Sequence, residues 1–264
     1  MNGPRPEHVV VVVGTGTDVG KTWVSSSFLK ACIASGMTVA ARKPAQSYEP
    51  GPCPTDAEVL SSATAEDPET ICPPHRWYEI PYAPPMAAIA LGRPEFSNEQ
   101  LFREIAWPYP RVGVGLVELA GGVSSPIASK GDPIDLIRML SPDHLILVAD
   151  AGLGTINAVR TSLLALTRGS TGPSRPGLER DVVVALNRFD PSSELHRLNV
   201  AWLHEKDGVH VVACGHDDEV GCSLGLIEYL LGPESLPEGV RTEVEHHDAG
   251  DHSDTSPWSR HTAW

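Results

Sequence analysis

His8–Thr22 reads HVVVVVGTGTDVGKT, and this stretch decides the fold. The run His8–Val13 has no polar alternation, the pattern of a strand buried on both faces of a parallel sheet. A Gly/Thr turn follows, and Lys21–Ser35 then predicts a helix, with Trp23, Val24, Phe28, Leu29 and Ile33 at helical spacing. Met37–Arg42 predicts a second short strand, so the chain opens as a strand–helix–strand unit. Between strand and helix, the pattern Gly, four residues, Gly-Lys-Ser/Thr marks a phosphate-binding loop. Here Gly20-Lys21-Thr22 ends that loop, but five residues separate Gly14 from Gly20, and Thr15 fills the usual glycine position. The physical roles survive the shift. Backbone N–H groups over Asp18, Val19 and Gly20 and the positive end of the helix can hold phosphate oxygens. Lys21 can reach β- and γ-phosphates, and the Thr22 hydroxyl can ligate Mg²⁺.

The alternation continues outward. Strands are predicted over Arg111–Glu118, His144–Asp150, Asp181–Leu186 and Val209–Ala213, with helices over Pro133–Leu140, Thr155–Arg168, Ser193–His204 and Gly221–Leu231. Strands alternating with helices give an α/β fold, an open, doubly wound, mostly parallel sheet of the P-loop NTPase type in a single domain over residues 1–241. Tyr48–Pro74 is proline-rich and reads as loop, with a short helix over Asp56–Ala63. From residue 242 to residue 264 the chain has five acidic residues, four histidines, one arginine and almost no aliphatics, so this tail is expected to be disordered.

Composition removes several classes. In 264 residues, 20 Lys plus Arg stand against 34 Asp plus Glu, a formal charge of −14 that disfavours nucleic acid and anionic membranes as partners. No apolar run approaches the roughly 20 residues of a membrane span, and the N-terminus lacks a signal-peptide layout, so a cytoplasmic protein is expected. Five cysteines without Cys-x-x-Cys make a disulfide framework or zinc knuckle improbable. Neither Cys72-Pro73-Pro74-His75 nor Cys214–Asp218 has a zinc spacing.

Ligands on such sheets bind beyond the carboxyl ends of the strands, and the polar residues concentrate there. Lys43 ends the second strand and is held extended by Pro44. Pointing into the crevice it can neutralise a transferring phosphoryl group; the alternative is a solvated surface lysine. Asp56 and Glu118, converging near Thr22, make hard oxygen ligands for Mg²⁺, with Glu58 a rival to Asp56. Gly154–Asn157 opens a helix whose first N–H groups can take an anion such as a carboxylate. Asn187, before Arg188, can pair with a base edge.

These residues carry a resemblance. Gly14–Thr22, Lys43-Pro44-Ala45-Gln46-Ser47, Val117-Glu118-Leu119-Ala120-Gly121-Gly122 and Gly152-Leu153-Gly154-Thr155-Ile156-Asn157 resemble, in order, four motifs of the dethiobiotin synthetase family. The resemblance implies ATP as co-substrate, Mg²⁺ held by Thr22, Asp56 and Glu118, and catalytic roles for Thr17, Lys21 and Lys43. It implies nucleotide contacts from the phosphate loop, from Glu118, Leu119, Ala120 and Gly121, and from Asn187 and Arg188. Ser47, Gly154, Thr155 and Asn157 match substrate-binding positions. The helix-opening segment comes from the neighbouring subunit in that family, so a homodimer is implied. The implied reaction joins 7,8-diaminononanoate and CO₂ into a cyclic urea. Gly16, Tyr48, Pro85 and Leu119 depart from the family pattern, where Asp, Gly, His and Gly are usual, and leave room for a changed diamine. Regulatory switch ATPases of the ParA/MinD kind carry an extra lysine where Thr15 and Gly16 stand here. A cobyrinate-type amidoligase normally adds a glutaminase domain, for which this chain has no room.

Overall fold

The computed structural model describes residues 3–168, 182–215, 217–237 and 240. The tail after residue 241 and the expected start of a strand at Asp181 lie outside the described residues. Within them, β1 (His8–Gly14), β2 (Val39–Arg42), β5 (Val114–Gly122), β6 (His144–Asp150), β7 (Val182–Asn187) and β8 (Val211–Cys214) form one sheet in the order β2-β5-β1-β6-β7-β8. Every pairing in it is parallel. The order reverses across β1, so the phosphate loop leaves the sheet at its topological switch point, where such folds bind ligands.

The valine run is buried because both faces of β1 are covered. Val11 and Val13 join one apolar cluster with Val117, Leu147 and residues of α6 (Pro133–Leu140). Val10 and Val12 join the other, with Val24, Phe28 and Leu29 of α1 (Lys21–Ala34) and Leu226 and Ile227 of α9 (Glu219–Leu231). Alternate side chains of a strand point to opposite faces, so a doubly covered strand has no place for a polar residue. In α1, Val24, Phe28 and Leu29 are buried as expected, whereas Ile33 is exposed and Ser25, Ser26 and Ser27 are buried instead. The small serines let α1 lie close to its neighbours, and Ser27 Oγ donates to Glu219 Oε1 of α9 at 2.8 Å.

Several strand ends move, those of β8 among them, which spans Val211–Cys214 rather than Val209–Ala213. The second strand begins at Val39 rather than Met37. β5 begins at Val114 and runs four residues past Glu118, because Gly14 pairs with Gly122 and Val123 N donates to Gly14 O at 3.0 Å. Sequence analysis also missed a two-stranded parallel sheet, β3 (Gln46–Ser47) with β4 (Trp77–Tyr78). The loop-rich stretch holds α2 (Asp56–Thr64) and α3 (Pro68–Ile71), and α4 (Pro84–Ala90) and α5 (Asn98–Glu104) come after it. α7 (Thr155–Arg168) and α8 (Glu194–Glu205) flank β7 in sequence. The cysteine count gave no sign of the one disulfide present among the described residues: Cys214, ending β8, is bridged to Cys222 in α9, eight residues on. No described helix is long and apolar enough to cross a membrane.

Gly115 marks where β5 is most tightly covered. A Cβ there would lie 2.4 Å from Pro6 Cγ and 2.8 Å from two Trp107 ring carbons. Gly115→Ala is therefore expected to cost about 1–3 kcal/mol through overpacking, read from urea denaturation midpoints. Gly113→Ala, whose Cβ would sit 3.4 Å from Thr38 O, should cost clearly less.

Candidate active site

A cavity of about 770 Å³ opens beyond the carboxyl ends of β1, β2 and β5. Its floor is the phosphate loop. Gly20, with φ +90°, lies so close to Asn187 that a Cβ would stand 1.8 Å from Asn187 Nδ2, so only glycine fits. Asn187 Nδ2 donates to Val19 O at 3.0 Å, and Arg188 Nη2 donates to Asp18 O at 2.6 Å. The Lys21 ammonium turns back over the loop and donates to Gly16 O at 3.0 Å.

Above the floor is a buried charge network. Glu118 is fully buried, and its Oε1 accepts from Lys43 Nζ at 2.7 Å and from Thr22 Oγ1 at 2.8 Å. Lys43 Nζ also meets Asp56 Oδ2 at 2.7 Å, and Thr22 Oγ1 lies 2.9 Å from Asp56 Oδ1. Burial alone would lower the Lys43 ammonium, but Asp56 and Glu118 outweigh it and hold it well above its ordinary value. Asp56 is shifted the other way: burial works to raise its carboxyl, and the Lys43 charge and hydrogen bonds carry it below the usual range. Lys21 is held low by burial and by the neighbouring Lys43 charge.

Asp56 is set in place by its helix start. Thr55 caps α2 in a reciprocal box with Glu58, and Ala57 N donates to Gln46 Oε1 at 2.9 Å. Glu58 thus spends its carboxylate on Thr55 N, at 2.7 Å, and on the Thr55 hydroxyl. Of the two carboxylates the sequence offered, Asp56 is the one beside Lys43.

Of the expected site residues, Thr17, Asp18, Gly20, Lys21, Thr22, Lys43, Ser47, Asp56, Ala120, Gly121 and Arg188 line the cavity. Glu118 reaches it through Thr22 and Lys43. Val19 and Leu119 are core residues, and Asn187 is buried beneath Gly20. Gly154, Thr155 and Asn157 open α7 and do not line this cavity. Gln46, Glu49, Tyr82, Ser125 and Pro126 also line the cavity without a sequence signal; Gln46 belongs to the two-residue strand β3, and the others to irregular segments whose course no periodicity reveals.

Comparison with known proteins agrees with this geometry. A family model described as an AAA domain matches residues 8–214. The ATP-dependent dethiobiotin synthetase BioD of Anaeromyxobacter sp. (strain K) is 37% identical over 200 residues, 73% of this chain and 87% of its own. The corresponding proteins of Haloferax mediterranei and Aquifex aeolicus are 34% and 32% identical, over 77% and 84% of this chain and 82% and 97% of their own. The chain belongs to the dethiobiotin synthetase family. Among solved structures, a ParA family ATPase from Chlorobium tepidum TLS is 13% identical, covering 87% of this chain and 91% of its own, with a TM-score of 0.48.

For this dethiobiotin synthetase family member the oxygen cluster suits a small hard cation. The Thr22 hydroxyl has one proton but two carboxylate neighbours, and Glu118 Oε2 is buried without a hydrogen-bond partner among the described residues. No group of three or more His, Cys, Asp or Glu side chains gathers as a metal cage among the described residues. That donor set fits Mg²⁺, which takes one or two carboxylates and fills its shell with phosphate oxygens and water.

The network makes a paired prediction. Lys43→Met leaves Glu118 buried without its cation and should cost about 3–5 kcal/mol. Asp56→Asn removes a carboxylate whose side chain is 40% exposed, so screening limits the loss to about 1 kcal/mol or less. Because the Asp56 pKa is depressed on folding, its contribution is present above the ordinary carboxylate value of 3.8 and fades as pH falls below it. Denaturation of wild type and Asp56→Asn should therefore differ at pH 6, with the difference shrinking progressively as pH falls below 3.8.

Proposed function

We propose that the chain is an ATP-dependent dethiobiotin synthetase, a ligase of biotin biosynthesis. The observation that carries this reading is Lys43: its ammonium is buried at the end of the second strand, in the cavity that holds Lys21, Thr22 and Asp56. A nucleotide-binding loop needs Lys21 and Thr22 for any phosphate chemistry. A second buried cation in the same crevice suits an enzyme that brings an additional anion to the γ-phosphate.

In this reading 7,8-diaminononanoate and CO₂ form a carbamate, which takes the γ-phosphoryl group of ATP. The mixed anhydride is then attacked by the second amine, which closes the cyclic urea and releases phosphate. Phosphoryl transfer of this kind needs positioning and charge neutralisation more than covalent help. Lys21 and the loop N–H groups hold the phosphates, with Thr17 beside them at the cavity wall. Lys43 neutralises the carbamate and the oxygens in flight. Thr22, Asp56 and Glu118 would hold Mg²⁺, which supplies charge neutralisation on the phosphates.

Ser47 offers a buried hydroxyl with no hydrogen-bond partner among the described residues, suited to an amine or carbamate. Tyr48, Tyr82 and Pro84 give the cavity an apolar wall for an aliphatic chain. The start of α7 does not line the cavity, and the family resemblance implies that this segment reaches the substrate carboxylate from a neighbouring subunit. The reading therefore includes a homodimer, which we place in the cytoplasm.

The test is phosphate release by the purified protein with ATP, Mg²⁺, bicarbonate and diaminononanoate. Release should require both bicarbonate and diamine, and Lys43→Met should lower kcat by about 100-fold or more while ATP affinity stays within a few-fold. Release that ignores the diamine, or a fully active Lys43→Met protein, refutes the reading.

A further inference from the structure

Two consecutive carbonyls of the phosphate loop are held by two consecutive residues at the end of β7. Asn187 Nδ2 donates to Val19 O at 3.0 Å, and Arg188 Nη2 donates to Asp18 O at 2.6 Å. The same two residues reach the other way, to the loop between β6 and α7. Asn187 O accepts from Ala151 N at 2.9 Å, and Arg188 Nη1 pairs with Asp150 Oδ2 at 2.8 Å. Asp150 Oδ1 in turn accepts from Gly152 N at 2.8 Å. Asn199 of α8 closes the cluster, its Nδ2 donating to Ala151 O and Gly152 O at 2.9 and 3.1 Å.

The bridge depends on guanidinium geometry. Arg188 uses separate nitrogens of one planar fork, Nη2 for a carbonyl of the phosphate loop and Nη1 for the carboxylate that ends β6. Both loop ends are also held in the left-handed region without glycine, Asp18 at φ +58° and Arg188 at φ +59°. Such conformations persist where surrounding contacts fix them. Thr155 Oγ1, in the first turn of α7, is buried and has no hydrogen-bond partner among the described residues. The segment that Arg188 steadies therefore ends in polar groups suited to a ligand.

We propose that Arg188 is a positioning residue that couples the phosphate loop to the start of α7, so that filling the loop with nucleotide steadies residues 150–157. The identity of the anion received at α7 rests on the function proposed above; the coupling itself does not. It links nucleotide binding to the order of the segment that meets the second substrate.

Hydrogen exchange tests the coupling without turnover. Peptides covering residues 150–158 are followed in the full chain with and without saturating ADP and Mg²⁺. An ion pair this exposed couples its ends only modestly, so ADP should slow exchange there about two- to fivefold in wild type. Arg188→Met and Asp150→Asn should each abolish the slowing; the second keeps an oxygen for Gly152 N and guards against misfolding of the first. Wild type that binds ADP without slowing exchange, or variants that keep the effect, overturn the proposal. In the ligase assay Asp150→Asn, at a residue outside the cavity lining, should raise the diamine KM about two- to fivefold with kcat within about twofold. A fall in kcat at unchanged diamine KM in that variant would overturn the positioning role. Absence of ligase activity with ADP-dependent slowing intact would refute the function and leave the coupling standing.

Discussion

The carboxylate of Glu118 is fully buried in the middle of an interior strand, and the site is organised around that cost. Removing a carboxylate from water costs several kcal/mol unless a cation and hydrogen bonds replace the lost hydration. β5 lies between β2 and β1, so the compensating groups must come from the segments that leave the carboxyl ends of those two strands. Lys43 stands one residue beyond β2, and Thr22 lies in the first turn of α1, after β1 and its loop. The order β2-β5-β1 is thus the reason why residues 22, 43 and 118 share one hydrogen-bonded cluster.

The compensation is incomplete, and the remainder faces the cavity. Lys21 and Lys43 are close enough that the Lys43 charge disfavours the charge on Lys21, and burial presses Lys21 further. One hydroxyl proton on Thr22 serves two carboxylates. A polyanion with a divalent cation answers both deficits at once, adding negative charge for the lysines and positive charge for the carboxylates. A neutral ligand would answer neither. The protein's net charge of −14 makes the contrast sharper, because the cationic centre sits inside an acidic chain.

The first strand and the phosphate loop were legible because each is written in contiguous residues: a valine run with no polar member, then Gly20-Lys21-Thr22 at a fixed offset. Lys43 was legible as a polar residue just beyond a strand and Glu118 as a polar residue closing an apolar run, although β5 continues past it to Gly122, and their four-motif context pointed to the family. The hidden features depend on contacts between distant segments. Whether Asp56 or Glu58 faces Lys43 is decided by the Thr55 cap and by Gln46, and both carboxylates lie within three residues of each other in sequence. The extra length of β5 comes from the pairing of Gly14 with Gly122, two glycines with no strand propensity of their own. Tyr82, Ser125 and Pro126 reach the cavity from turns, where neither period 2 nor period 3.6 operates. The Cys214–Cys222 bridge forms because β8 ends against the first turns of α9, a proximity that a cysteine count does not contain.

The fit between Gly20 and Asn187 limits what Asn187 can do for a nucleotide. With φ +90° and no room for a Cβ, Gly20 lets the loop settle directly onto the Asn187 amide, and one of the two N–H donors of that amide is spent on Val19 O. Its oxygen remains, buried and without a hydrogen-bond partner among the described residues. A purine edge that presents a donor can use that oxygen, and the second N–H of the amide is left for an acceptor. A loop one residue longer than the usual pattern is thus compatible with nucleotide binding, because Asn187 and Arg188 pin its last turn from outside the loop itself.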